Sequence, residues 1–214
     1  MSQFRRLVAR LFDLLLPRHR NAILARTVTS GRLSALLRPS TLERAAWIHT
    51  LWPYWNAEVR ACIKAVKYYG EKEVALRMGA IAADYITDYL SDESALGGMA
   101  APVVVPIPSS PRRLRERGYS QAALFASVIA TEVSLRYEPH ALARAERVSQ
   151  VHVPRSERKK NISDAFRVPH VELVEGRTIL LIDDVVESGA TLKDARRALL
   201  EAGAKRVIAI ALAH

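Results

Sequence analysis

The hydrophobic and polar positions of the last fifty residues predict a strand, a helix and a second strand. RTILLIDD is apolar until it reaches two acids, TLKDARRALLEAGA carries apolar residues at helical spacing, and RVIAIALA is again apolar. Gly203 closes the helical segment, as glycine commonly does. Two strands joined by one helix within about thirty residues predict a parallel sheet that is covered on both faces.

Helical spacing also occurs earlier in the chain. Residues 57–90 fit helices separated by a turn at Gly70, and GYSQAALFASVIATEVSL predicts another helix. SDESALGGMAAP has the composition of a loop, and VVVPIPSSP that of a buried strand entering a proline-constrained loop. The polar, basic stretch at about 140–165 has weak periodicity, which leaves a solvated loop and a hairpin as alternatives.

The first fifty residues differ from the rest in charge. They hold nine arginines against Asp13 and Glu43, a net charge of +7 out of +10 for the chain. We therefore predict a basic, helical N-terminal region over residues 1–50 and a second domain over residues 51–214. Three roles stay open for the region: docking on the core, membrane-surface binding and nucleic-acid binding. An apolar stripe at helical spacing supports the helix: Phe4, Leu7, Val8, Leu11, Phe12 and Leu15.

Composition further restricts the classes of protein to which this sequence can belong. The 214 residues, half of them apolar, suffice for one α/β domain with an appendage, and the isoelectric point of about 10.1 suits a polyanionic partner. Cys62 is the only cysteine, which excludes an internal disulfide and a thiolate zinc site built from this chain alone. No apolar run approaches the roughly 20 residues of a spanning helix, so we predict a cytoplasmic protein without a transmembrane segment.

The acidic pair and the turn that follows it carry the candidate chemistry. Asp183 and Asp184 fall at the carboxyl end of a parallel strand, where ligands of open α/β sheets collect. The turn 187–191 would present backbone N–H groups and the hydroxyls of Ser188 and Thr191 to an anion, and Gly189 permits close approach. A phosphorylated sugar fits both halves of this stretch. An ordinary strand-to-helix turn is the alternative.

The stretch ILLIDDVVESGAT resembles the signature that binds phosphoribosyl pyrophosphate (PRPP) in type I phosphoribosyltransferases. Three further stretches resemble the competence protein F (ComF) group of that family: VRACIKAVKYYGEKEVA, VVVPIPSSPRRLRERGYSQAALFA and RSERKKNISDAF. Together they cover most of residues 57–214. The resemblance implies the type I phosphoribosyltransferase fold, with a mostly parallel sheet flanked by helices and a flexible hood.

The resemblance also implies a PRPP site with Mg²⁺. Asp183 and Asp184 would hold the ribose hydroxyls, with Mg²⁺ bound through those hydroxyls or water, and Asp184 is also a catalytic candidate. The 5′-phosphate would lie in the turn formed by Glu187, Ser188, Gly189, Ala190 and Thr191. The pyrophosphate would meet Pro106, Ile107, Pro108, Arg112 and Arg113.

Two further assignments depend on the resemblance. The hood would run from about Arg144 to Asn161 and close over the ligand with basic residues that include Arg155 and Arg158. Glu187 stands where ComF relatives commonly have threonine, and purine-salvage relatives carry an aspartate there that faces the base. We therefore predict Glu187 as a catalytic residue that holds or deprotonates the acceptor, the alternative being a solvated carboxylate in the turn.

The resemblance leaves the function open between three classes. The first is an active phosphoribosyltransferase of nucleotide metabolism with an unidentified, small-molecule acceptor such as a nucleobase. The second is a non-catalytic nucleotide- or DNA-binding accessory protein of DNA uptake, with nucleic acid or competence proteins bound through the N-terminal region. The third is a PRPP-sensing regulator. ComF relatives usually begin with a cysteine-rich zinc module, whereas LLLPRHRNAIL has no cysteine, so no zinc is expected. Oligomeric state stays open.

Overall fold

The computed structural model of the protein describes residues 20–43, 45–95, 100–145 and 165–214. The main sheet contains the strands β1 Ser40–Leu42, β2 Ala45–Trp52, β3 Val103–Pro106, β4 Arg136–Tyr137, β7 Thr178–Val185 and β8 Arg206–Ala213. Their order is β1-β2-β8-β7-β3-β4. Strands β1 and β2 are antiparallel and all other neighbours are parallel, which confirms the predicted α/β class with a mostly parallel sheet.

Helices cover both faces of this sheet. They are α1 Arg20–Thr27, α2 Ser30–Ala35, α3 Ala57–Tyr69, α4 Lys72–Ala95, α5 Pro111–Arg117, α6 Gln121–Glu132 and α7 Ala190–Glu201, with a 3₁₀ turn at Val171–Leu173. Capping residues explain where several of these helices begin and end. The Asn56 side chain accepts from the N–H groups of Glu58 and Val59 where α3 begins, and Gly70 ends α3 in the left-handed conformation (φ 64°).

Strand β7 shows how the sheet is buried. Leu180 and Ile182 face a core shared with α3, α4 and α6, whereas Ile179 and Leu181 face a second core shared with α7. Successive side chains of a strand point to opposite faces, so a continuous apolar run is what a doubly covered strand requires. Burying each of these side chains contributes about 1.5–3 kcal/mol.

A small second sheet marks the start and end of the predicted hood. Strands β5 Ala143–Arg144 and β6 Phe166–Arg167 pair antiparallel, with Arg144 opposite Phe166. Of the two alternatives for this stretch, the hairpin is therefore correct at its base. Residues 146–164 lie outside the described residues.

The prediction of a helical region through residue 50 is wrong at its end, where residues 40–42 belong to β1 and residues 45–50 to β2. Strand β2 continues to Trp52, across the predicted boundary between residues 50 and 51, and pairs in parallel with β8 inside the main sheet. Burial against distant elements decides the conformation here, because Ile48, Leu51 and Trp52 are almost fully buried. The predicted apolar stripe at residues 4–15 lies outside the described residues.

Helix α4 is longer than predicted and continues to Ala95 instead of ending near residue 90. Its last turns have polar contacts that a loop prediction could not foresee, since the Ser91 hydroxyl donates to the Thr87 carbonyl and Glu93 forms an ion pair with Arg206 of β8. Within the described ranges, no helix combines the length and apolar character needed to span a bilayer.

Candidate functional site

A cavity of about 300 Å³ opens at the edge of the sheet where β3 and β7 end and α6 and α7 begin. Chain direction brings these ends together, because parallel strands present their carboxyl ends at one edge and the following helices start there. The volume lies at the small end of the range of about 300–1,000 Å³ that is typical of ligand pockets.

The acidic pair forms the floor of the cavity at the end of β7. Both carboxylates are half-buried, and Asp183 Oδ1 accepts a hydrogen bond from the Asp184 backbone N–H at 2.9 Å. Burial raises the pKa of Asp183 well above its usual value, the charge of Asp184 raises it further, and Arg144 opposes both effects. Asp183 therefore holds a proton more tightly than an ordinary aspartate, and a cation or hydroxyl donors would stabilise its ionised form.

The turn after β7 forms one wall and leads directly into α7. Gly189 adopts φ 73° and ψ 5° at the helix N-cap, and a Cβ there would lie 3.2 Å from Ile48 Cδ1. The position therefore needs glycine both for its backbone angle and for the close approach of β2. Gly189 has no side chain with which to cap α7, and the Ser188 Oγ accepts a long hydrogen bond of 3.4 Å from the Ala190 N–H. Ser188, Ala190 and Thr191 line the cavity at this helix start.

The opposite wall comes from the segment after β3 together with α5 and α6. Ile107, Pro108 and Ser109 line it, with Arg113 from α5 and Gln121 from the first turn of α6. The Ser109 hydroxyl donates to Ser120 Oγ at 3.0 Å. This hydrogen bond joins the segment before α5 to the segment after it.

Arg144 joins this wall from the base of the hood. Its Nε donates to the Pro108 carbonyl at 2.9 Å, and its guanidinium carbon lies 5.0 Å from the centroid of the Phe166 ring. Burial and the charge of Arg113 lower the pKa of Arg144, whereas Asp183 raises it. Both guanidinium groups belong to the lining of one cavity, where a bound anion would offset their mutual repulsion.

The third side of the cavity is formed by Tyr54, which follows β2, and by Lys67 of α3. Lys67 Nζ lies 3.9 Å from Asp184 Oδ2. Burial raises the pKa of Tyr54, and Tyr68 and the carboxylates of Asp184 and Glu187 raise it further, so the phenol stays a hydrogen-bond donor at neutral pH.

Most residues predicted from the sequence lie together in this lining. They are Asp183, Asp184, Glu187, Ser188, Gly189, Ala190, Thr191, Ile107, Pro108, Arg113 and Arg144. The lining combines three cations (Lys67, Arg113, Arg144) with three carboxylates (Asp183, Asp184, Glu187). Such a site can bind a phosphate group and sugar hydroxyls side by side.

The structure does not bring two of the predicted residues into the lining. Pro106 is buried as the last residue of β3. Arg112 points outward and pairs with Glu116 at 2.8 Å, because adjacent positions of a helix diverge by about 100° and only Arg113 faces the cavity. Arg155, Arg158 and Asn161 lie outside the described residues.

The sequence analysis missed Tyr54, Lys67 and Gln121 as lining residues. Lys67 and Gln121 lie in stretches that carry the ComF resemblance, KYYG and RGYSQ, and this resemblance is the sequence feature that could have indicated them as lining residues. Tyr54 follows a strand that was not predicted, so its position could not be inferred.

A protein-family model matches the C-terminal part of the chain. The family model for the phosphoribosyl transferase domain matches residues 119–214, which include the acidic pair, the turn and α7. The region upstream of residue 119, with β3 and the segment predicted to meet the pyrophosphate, lies outside that match.

The matches to curated relatives cover more of the chain than the family model does and extend upstream of residue 119. Competence protein ComFC of Bacillus subtilis (strain 168) is 36% identical over 153 residues, which are 70% of this chain and 56% of the relative. DNA utilization protein YhgH of Escherichia coli (strain K12) is 31% identical over 106 residues, 49% of this chain and 45% of the relative. The chain thus spans about half the length of the curated relatives it matches.

Among solved structures, the chain resembles the glutamine phosphoribosylpyrophosphate amidotransferase of B. subtilis in complex with ADP and GMP. The TM-score is 0.43 at 20% identity, with 70% of this chain and 30% of the other covered.

Proposed function

Because the chain belongs to the ComF-like type I phosphoribosyltransferases, we propose that its cavity binds PRPP with Mg²⁺ and transfers the phosphoribosyl group to an acceptor, releasing pyrophosphate. The observation that carries this proposal is the position of two half-buried carboxylates in one cavity with the start of α7, where the N-cap residue Gly189 supplies no capping side chain. Sugar hydroxyls and a phosphate are the groups that such a pair of neighbours binds.

The proposal gives each wall a substrate group. Asp183 and Asp184 accept hydrogen bonds from the ribose 2′- and 3′-hydroxyls, and the N–H groups of residues 187–191 hold the 5′-phosphate together with the hydroxyls of Ser188 and Thr191. On the opposite side, Arg113 and Arg144 neutralise the pyrophosphate group, which lies along Ile107 and Pro108.

The residues present fit a magnesium ion that is shared with the substrate. Among the residues the structure describes, no three His, Cys, Asp or Glu side chains come together to form a metal site of protein ligands alone. Mg²⁺ is usually held by one or two carboxylates plus substrate oxygens and water, so Asp183 and Asp184 would suffice with PRPP in place. When bound, the ion supplies positive charge to the departing pyrophosphate.

The transfer step breaks the bond between C1′ and the pyrophosphate oxygen, and the electron pair leaves with that oxygen. Positive charge then develops on C1′ and the ring oxygen, close to the carboxylates of Asp183 and Asp184. The acceptor nitrogen forms the new bond to C1′, and Glu187 takes the proton that the nitrogen loses. The chain contributes positioning of the two reactants and stabilisation of the leaving group.

A screen of pyrophosphate release tests this function. Purified protein is incubated with PRPP, Mg²⁺ and single purine or pyrimidine bases, and the Asp183→Asn/Asp184→Asn variant serves as the inactive control. Release that requires one base and wild-type protein supports the transferase. Saturable PRPP binding without release for any base would instead favour a PRPP-sensing regulator.

A second function, in the binding of single-stranded DNA, is favoured by two exposed aromatic residues, Trp55 and Tyr68, which directly follow the lining residues Tyr54 and Lys67 in the chain. Trp55 is 78% exposed and Tyr68 is 58% exposed, and the Arg117 guanidinium lies 5.2 Å from the centroid of the Tyr68 ring. Exposed aromatic side chains beside cations are typical of surfaces on which bases stack. The relatives named for competence and DNA utilization agree with such a role.

This second function has its own measurement. Fluorescence anisotropy of a labelled oligonucleotide should show binding that weakens with salt, with a slope on the order of −0.7 per phosphate neutralised. The Trp55→Ala/Tyr68→Ala variant should bind more weakly, and a variant that lacks residues 1–19 tests the arginines of that stretch without removing any described element. An absence of binding at low salt would reject the accessory role.

A further inference from the structure

The side of the cavity formed by Tyr54 and Lys67 has no group of PRPP assigned to it. In the proposed function the ribose lies at the acidic pair, the 5′-phosphate lies in the turn 187–191, and the pyrophosphate lies along the opposite wall. A transferase must hold its second substrate next to the first. The remaining side of the lining is therefore the one available to the phosphoribosyl acceptor.

Lys67 supplies a cation to this side from the last turn of α3. Its Nζ lies 3.9 Å from Asp184 Oδ2, which is at the outer limit of an ion pair. An ammonium group carries three donors and no lone pair. Lys67 can therefore donate to an oxygen of a bound molecule while it stays beside Asp184.

Tyr54 lies near both carboxylates on this side. Burial is the largest cause of the raised pKa of Tyr54, and the nearby Tyr68 adds to it. The carboxylates of Asp184 and Glu187 raise this pKa further. Because such charge effects weaken with distance, Glu187 is a neighbour of Tyr54 as well as a lining residue. The Tyr54 hydroxyl thus keeps its proton at neutral pH, next to the residue that is proposed to deprotonate the acceptor.

The hydrogen-bonding capacity of these three side chains defines a complementary molecule. Glu187 can accept the proton of a ring N–H, whereas Lys67 and Tyr54 offer donors to an oxygen. We propose that the phosphoribosyl acceptor is a nitrogen heterocycle with a ring carbonyl, whose oxygen accepts hydrogen bonds from the Tyr54 hydroxyl and the Lys67 ammonium group. This inference rests on the proposed function and names the chemical class of its acceptor.

Donor count and charge disfavour two other kinds of acceptor. An amino group in place of the carbonyl would face Lys67, which has no lone pair to offer, so two donors would meet. A carboxylate would add a negative charge to a side that already holds Asp184 and Glu187 against the one cation of Lys67. A neutral carbonyl oxygen satisfies the donors without adding charge.

Calorimetric titrations with nucleoside monophosphates test the inference without turnover. IMP and AMP share ribose 5-phosphate and differ by a carbonyl or an amino group at the same ring position, and UMP and CMP form a second such pair. With Mg²⁺ present, we expect the protein to bind the carbonyl member of one pair at least about tenfold more tightly than the amino member. Ribose 5-phosphate alone serves as the reference for the part that the four nucleotides share.

Two substitutions should remove this preference. Tyr54→Phe and Lys67→Met each delete one donor and should reduce the affinity ratio within the pair to about threefold or less. The ratio cancels any change in ribose or phosphate binding, which matters because Lys67 lies beside Asp184. Tyr85→Phe is the matched control and should keep the wild-type ratio, because the Tyr85 hydroxyl lies 3.0 Å from His49 Nδ1 and outside the cavity lining.

The outcomes separate this inference from the proposed function. Equal binding within both pairs, binding of none of the four nucleotides, preference for an amino member, or a preference that either folded variant retains would overturn the inference. Pyrophosphate release that requires a base without a ring carbonyl, such as adenine, would also overturn it, although that result supports the transferase. If the protein binds neither PRPP nor ribose 5-phosphate, the proposed function fails together with the inference.

Discussion

The two walls of the cavity are built by different means. The wall from Asp183 to Leu192, called the sheet wall here, continues a strand that is buried on both faces and leads into α7 through Gly189. The wall from Ile107 to Ala122, called the loop wall, includes α5, which has no buried residue. Core packing positions the first wall and both ends of the second, at Ile107 and Ala122, whereas polar contacts position the stretch of the second wall that contains α5.

The polar contacts of the loop wall are specific. Ser109 donates to Ser120, Arg117 donates to Gln121, and the Tyr119 hydroxyl donates to the Val66 carbonyl. Segments with few buried apolar contacts open at low free-energy cost. We therefore expect changes in the sheet wall to alter ligand binding and stability together, and changes in the α5 part of the loop wall to alter mainly ligand binding.

The largest effect is expected from the acidic pair of the sheet wall. Asp183→Asn with Asp184→Asn removes the charged acceptors for the ribose hydroxyls and for Mg²⁺. PRPP affinity in the presence of Mg²⁺ should fall by about 100-fold or more, since hydrogen bonds to charged groups contribute about 1.5–3 kcal/mol each. Calorimetry measures the loss, and circular dichroism checks the fold. Undiminished PRPP affinity in the folded double variant would reject the ribose assignment.

A substitution of Glu187, in the same sheet wall, should affect turnover without affecting PRPP binding. Its side chain is exposed at the cavity, so Glu187→Gln should leave PRPP affinity and stability nearly unchanged. Turnover with any acceptor that is found should fall by about 100-fold, the lower range for loss of a general base. Normal turnover in Glu187→Gln, or tighter PRPP binding in Glu187→Thr without loss of rate, would show that Glu187 has no catalytic role.

Two glycines with left-handed backbones allow a matched comparison of the walls. Gly189→Ala adds backbone strain of about 1–2 kcal/mol and places a methyl group 3.2 Å from Ile48 Cδ1. Gly118→Ala, after α5, has a similar φ of 82° but open space around its Cβ. Thermal unfolding should show a larger loss of stability for Gly189→Ala, and only this variant should bind ribose 5-phosphate more weakly. Equal losses would contradict the difference between the walls.

The smallest effect concerns stability and pH. Burial raises the pKa of Asp183 above its unfolded value, so the folded protein binds the proton more tightly and stability falls as pH rises through the folded pKa. Asp183→Asn cannot ionise and should be more stable than wild type near neutral pH, with the advantage shrinking at acidic pH. Chemical denaturation of both proteins at several pH values measures this. A constant difference across pH would be inconsistent with the raised pKa.

The sheet wall could be predicted from the sequence because its residues lie close together along the chain. The apolar run, the two acids, Gly189 and the helical spacing all lie within about twenty consecutive residues, and each element is specified by its own residues. The Gly70 turn and α3 were predicted for the same reason.

Strand β2 and much of the remaining cavity lining could not be predicted, because contacts between residues that are distant in the sequence determine them. Strand β2 was missed because Ala45–Trp52 follows an arginine-rich segment and takes its extended conformation by pairing with β8, over 150 residues later. Arg112 was chosen together with Arg113, yet only the placement of α5 decides which of them faces the cavity. Lys67 and Gln121 acquire their positions only when α3 and α6 pack beside β7.

Calorimetric titration of PRPP into the protein, with and without Mg²⁺, measures the binding on which the proposed function depends. We expect saturable binding of one PRPP per chain with Mg²⁺, at least about tenfold weaker binding without it, and competition by ribose 5-phosphate at the sheet wall. If PRPP shows no saturable binding in the presence of Mg²⁺, the cavity is not a PRPP site.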